Sequence, residues 1–155
     1  MSSTLNDNLE SYQGTIVKGY GVASGKSENS PFHAGTITLQ KPFFKALGLD
    51  LTSFFDGTIN IALDVDNVEL VFWHHQFNQV KWIANFPAEN FRFLKCHLLV
   101  NDHLYDGYIY QPIKETKIGH FQKENILEII SEYIPNVQYG IKITLRVPKL
   151  ALRCR

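Results

Sequence analysis

The chain has 155 residues, 45% apolar and 19% charged, enough to bury the core of one domain and too apolar to be disordered throughout. Fifteen basic residues balance fifteen acidic ones, and a net charge of zero argues against a global grip on nucleic acid or an anionic membrane. No apolar run approaches the ~20 residues of a membrane span, and the polar start MSSTLNDNLESYQ lacks a signal-peptide pattern, so the expectation is a soluble cytoplasmic domain.

Residues 1–11 are polar and are expected to be a disordered N-terminal segment, because nothing in them can be buried. Thr15 to Tyr20 alternates apolar and polar residues, which suits a strand entering the glycine-rich turn at Gly19-Tyr20-Gly21. Gly25 to Pro31 is turn chemistry, and Thr36-Ile37-Thr38-Leu39 has the β-branched alternation of a strand. Lys41 to Gly48 reads as a short helix, with proline near its start, glycine past its end, and Phe44 and Leu47 on its buried face.

Thr58 to Leu63 and Val68 to Trp73 read as strands. A further pair is expected between Phe91 and Tyr110, with Asn101-Asp102 and Asp106-Gly107 as plausible turn sites. Ile126, Ile129, Ile130, Tyr133 and Ile134 form a helical stripe, yet Ile126 to Ile130 suits a buried strand equally well, and periodicity does not choose between them. Ile141 to Val147 is the last strand, ended by Pro148, and residues 149–155 form a short basic tail. Short strands, glycine turns and 13% aromatic residues favour a mainly-β barrel with one or two short helices, spanning residues 12–148 as one domain.

Three constellations could carry chemistry. The run Gly19-Tyr20-Gly21-Val22-Ala23-Ser24-Gly25 is either a hairpin bend or a nest of backbone N–H groups for phosphate oxygens, flanked by Lys18 and Lys26. In Phe55-Asp56-Gly57-Thr58-Ile59-Asn60, a strand would project Thr58 and Asn60 from one face as paired oxygen donors, which Mg²⁺ accepts when nucleotide phosphates supply the charge. The bland alternative is a turn with both side chains in solvent. Around Thr116, His120 and Glu128, a carboxylate bordered by Leu127, Ile129 and Ile130 could be desolvated and accept a hydroxyl proton, or could simply be exposed.

Other candidates are poorer. His74 and His75, adjacent on a strand, would point to opposite faces and cannot share a metal. Asp64 and Asp66 are explained by a turn, and Cys96 and Cys154 form neither a disulfide framework nor a zinc spacing.

The order of these pieces resembles the archaeal CTP-dependent riboflavin kinase family. That family has a loop SGLGEG, a helix ending LGF, then GTLN with KLD, and later DGAIVVP, a threonine, a histidine and EIIEIIAP. The counterparts are Lys18 to Ala23, Lys45 to Leu49, Gly57-Thr58-Ile59-Asn60 with Ala62-Leu63-Asp64, Asp106 to Pro112, Thr116, His120, and Asn125 to Ile130.

The resemblance implies a small six-stranded barrel that moves the γ-phosphoryl of CTP to the riboflavin 5′-hydroxyl, giving FMN and CDP. It implies nucleotide contacts at Gly19, Tyr20, Gly21, Val22, Ala23 and Ser24, and again at Tyr133, Ile134, Pro135 and Asn136. Thr58 and Asn60 would ligate Mg²⁺, Thr116 and Glu128 would hold the flavin, and Glu128 would be the base for its hydroxyl. A strand at Ile126–Ile130 follows from the same resemblance. Val22 and Ala23 replace the family's glutamate and third glycine, and Tyr133-Ile134-Pro135-Asn136 lacks its Leu-Arg. These departures favour an alternative: a non-catalytic flavin- or nucleotide-binding or protein-interaction module on the same barrel.

Overall fold

The computed structural model describes residues 8–18, 36–113 and 124–155. In chain order these form β1 (Leu9–Val17), α1 (Thr36–Ala46), β2 (Ile59–Leu63), β3 (Val68–Leu70), β4 (His75–Val80), β5 (Glu89–Val100), β6 (His103–Ile113), β7 (Ile126–Ser131), β8 (Lys142–Pro148) and β9 (Leu152–Cys154). Six strands close a ring in the order β5-β6-β7-β2-β1-β8, every neighbouring pair antiparallel, with β8 returning to β5 at Leu98↔Leu145. The predicted mainly-β, six-stranded barrel is what the chain forms. Among the described residues, no helix is long and apolar enough to cross a membrane.

The interior follows from the two-residue period of a strand. Ile59, Ile61 and Leu63 of β2, Leu94, Cys96, Leu98 and Val100 of β5, and Ile143, Leu145 and Val147 of β8 all enter one apolar cluster. Burial there pushes the Cys96 thiol pKa up, so this cysteine is a core residue and stays protonated. β5 serves two cores. Phe91 and Phe93, of opposite parity to Leu94 and Cys96, join a second cluster outside the ring with Phe44 of α1, Tyr110 of β6 and Ile130 of β7. Its outer edge is likewise shared, with β4 along Phe91–Phe93 and β8 along His97–Leu99.

Several local expectations change. Thr36 to Leu39 is helical, because Ile37 and Gln40 complete a buried face with Lys41 and Phe44 at helical spacing, and that packing overrides β propensity. Pro42 therefore lies inside the helix instead of at its start. The C-terminus ends on Gly48 at φ 110°, with Leu49 N–H donating to Phe44 O and Gly48 N–H to Lys45 O, a Schellman cap.

Asn101-Asp102 makes the two-residue turn between β5 and β6, both residues at positive φ, as a primed hairpin turn requires. Asp106-Gly107 is instead mid-strand, and the glycine is needed for close approach: a Cβ there would lie 2.9 Å from Ile130 O. Ile126 to Ser131 is strand, with Ile129 facing the barrel interior and Ile130 the outer cluster.

Residues 9–11, the part of the expected disordered segment that lies in a described strand, and the expected tail are tied in more tightly than expected, while residues 1–7 lie outside the described residues. Leu9, Glu10 and Ser11 pair with Pro148, Val147 and Arg146, so β1 takes in residues expected to be disordered. Within the expected tail, Leu152–Cys154 pairs with Val68–Leu70 while Ala151 and Leu152 are buried in the main core.

Candidate functional site

Ile59 and Ile61 point into the barrel, so their strand neighbours Thr58 and Asn60 share the outer face, where both are 2% exposed. Across the ladder, Asn60 stands opposite Glu128, whose neighbours Leu127 and Ile129 also point inward. The Thr58 hydroxyl donates to Glu128 Oε2 at 2.8 Å. Members of two constellations, Thr58 and Glu128, 70 residues apart in the chain, thus meet in one cluster of oxygen atoms on the β2–β7 outer face.

The cluster extends toward α1. The Tyr110 hydroxyl donates to Gln40 Oε1 at 2.7 Å, and both residues are buried. Burial first, and then the nearby charge of Glu128, push the Tyr110 phenol pKa well up, so it remains a protonated donor across the ordinary pH range. The next helix residue, Lys41, reaches Asp56 Oδ1 with its Nζ at 2.8 Å and also donates to Phe54 O. The loop it grips is held from the other side, where Phe55 N–H donates to Ser131 O at 2.9 Å. Sequence reasoning missed Gln40, Lys41 and Tyr110. The signal for the first two is polar residues inside the Ile37–Phe44 buried stripe, legible only once the helix is extended back to Thr36.

The donor set is uniformly hard: a hydroxyl, a side-chain amide and a carboxylate. A threonine hydroxyl has one proton, and here Glu128 receives it, which leaves the oxygen lone pairs as acceptors toward a cation. Among the described residues no three histidine, cysteine, aspartate or glutamate side chains gather as a metal site. Oxygen donors such as the Thr58 hydroxyl and the Asn60 side-chain amide are of the type that a hard divalent cation accepts.

The other expected residues divide. Gly19, Tyr20, Gly21, Val22, Ala23, Ser24, Lys26, Thr116 and His120 lie outside the described residues. The Tyr133 ring tilts against Phe55 at 5.4 Å, so the segment Tyr133–Asn136 adjoins the loop leading to Thr58. Ile134 itself is 1% exposed and packed in the barrel core, while Pro135 is exposed and Asn136 takes φ 60°. Asp64 and Asp66 are exposed turn residues, and Asp66 N–H donates to Arg155 O. His74 Nδ1 accepts from Lys95 N–H at 2.9 Å, whereas the His75 ring lies tilted against Phe77. No protein-family model matches the chain, and no curated protein is significantly similar to it.

Proposed function

We propose that the protein is a Mg²⁺-dependent phosphotransferase that makes FMN from riboflavin and a nucleoside triphosphate, CTP by the resemblance of its motifs. The observation that carries this reading is the Thr58–Glu128 hydrogen bond beside Asn60 on the outer face of the barrel. In this reading Thr58 Oγ1 and the Asn60 side-chain oxygen would hold the cation, which when bound would supply charge neutralisation for the transferring phosphate. Glu128 orients the ribityl 5′-hydroxyl and takes its proton as the hydroxyl oxygen bonds to the γ-phosphorus and CDP leaves. Thr58, by donating to Glu128, aims that carboxylate and keeps the base and the metal ligand in register. The loop Gly19–Ser24 would cradle the phosphates, and Thr116 would contact the flavin.

A second reading, a flavin- or nucleotide-binding barrel without catalysis, is favoured by Val22, Ala23 and the absence of an arginine in Tyr133–Asn136. Thermal-shift titration distinguishes the two, because a ligand held only by the native state stabilises it by about 2.7 kcal/mol at 100 times Kd. The kinase reading predicts upward shifts with riboflavin and, separately, with CTP plus MgCl₂. A shift with flavin alone supports the sensor. No shift with either rejects both ligand-binding readings and leaves an interaction module.

A further inference from the structure

We infer that Lys41 is a positioning residue for the metal site, a role that rests on the reading above and that no motif in the sequence assigns. Lys41 is 7% exposed on the α1 face that also buries Ile37, Gln40 and Phe44. An apolar side chain of similar length would pack there without the desolvation penalty that a buried ammonium carries. Its two bonds account for the cation: Nζ binds the Phe54 carbonyl and the Asp56 carboxylate, both in the loop that runs directly into Thr58.

That loop is pinned again at Phe55 N–H to the Ser131 carbonyl, and Gly57 N–H folds back on Phe55 O at 2.9 Å. Ser131 ends β7, the strand that carries Glu128. Lys41 therefore staples the approach to Thr58 from the helix side while β7 holds it from the sheet side, and the Thr58 hydroxyl lies 2.8 Å from Glu128 Oε2. Removing the staple frees residues 54–57 to move and loosens one of the two proposed metal ligands, while the barrel core, which Lys41 does not enter, is unaffected. Lys41 touches neither phosphate nor flavin in this scheme; it acts through the loop.

The test uses Lys41→Met, Lys41→Arg and, in case the first does not fold, Asp56→Asn, whose site is solvent-exposed and whose change removes the ion pair alone. Amide hydrogen exchange reads the staple independently of any activity. Exchange at residues 54–58 is expected to quicken about tenfold in Lys41→Met and less in Asp56→Asn, with β5 and β8 unchanged. In FMN synthesis the Mg²⁺ concentration for half-maximal rate should rise about tenfold in Lys41→Met, with the KM for riboflavin within about twofold. Lys41→Arg, which can still reach both acceptors, should restore both readouts most of the way. Exchange in the loop identical to wild type, or a riboflavin KM that moves while the Mg²⁺ dependence does not, overturns the inference. Faster loop exchange in a protein whose wild type makes no FMN would keep the staple and reject the kinase reading.

Discussion

Asn60→Ala is expected to lower FMN formation by about 100-fold or more and to flatten its dependence on Mg²⁺ concentration. Asn60 is 2% exposed, directly across the ladder from Glu128 and two residues from Thr58, on the face opposite the Ile59–Ile61 core side chains. Its side-chain oxygen is one of two neutral donors proposed for the cation, and alanine offers none. Removing a buried polar group also leaves its partners short of a hydrogen bond, roughly 1–3 kcal/mol. The variant is nonetheless expected to fold, because no apolar contact of the barrel interior is touched. Circular dichroism and a rate measured across a Mg²⁺ titration check both halves. A folded variant with wild-type rate and wild-type Mg²⁺ dependence would place the metal elsewhere.

Phe44→Ala is expected to have the largest effect on stability. Phe44 is fully buried, its ring lies edge-on to Phe91 and Phe93 at 5.0 and 4.9 Å, and it stacks with Phe77 at 6.0 Å. Truncating a buried phenylalanine destabilises by roughly 3–5 kcal/mol through lost transfer energy and the cavity left behind. For a domain of this size that lowers Tm by roughly 6–20 °C. The cost falls on the contact that holds α1 against the sheet, so the loop gripped by Lys41 should loosen as well. Calorimetry measures the first effect. A loss below about 1 kcal/mol would mean that the outer aromatic cluster is not what fixes the helix.

What the sequence made legible is the part governed by local rules. Ile59, Ile61 and Leu63 alternate with Thr58, Asn60 and Ala62, and that pattern alone puts two oxygen donors on one face. Asn101-Asp102 can adopt the left-handed backbone that a two-residue hairpin needs, so the β5–β6 turn was foreseeable.

The misses arise where tertiary contacts decide. Thr36-Ile37-Thr38-Leu39 alternates like a strand, and only the buried stripe continuing through Gln40, Lys41 and Phe44 makes it helix. β4, with sequence HQFNQV, is mostly polar because it is an edge strand, and its register slips between Phe77 and Val80, where Gln79 takes φ 57°. Glu128 could be ranked as a candidate, but its hydrogen bond to Thr58 spans the barrel's β2–β7 pairing, which no local pattern encodes. The ambiguity at Ile126–Ile130 resolves for the same reason: both faces of β7 are covered, one by the barrel interior and one by the α1 cluster.

The most direct measurement is phosphoryl transfer itself, with CTP labelled in its γ-phosphate, riboflavin and MgCl₂, at enzyme concentrations comparable to substrate so that one turnover is visible. The account predicts label in FMN, one CDP formed per FMN, and loss of both when the metal is chelated. Unlabelled riboflavin recovered intact with CTP, ATP, GTP and UTP alike would contradict it.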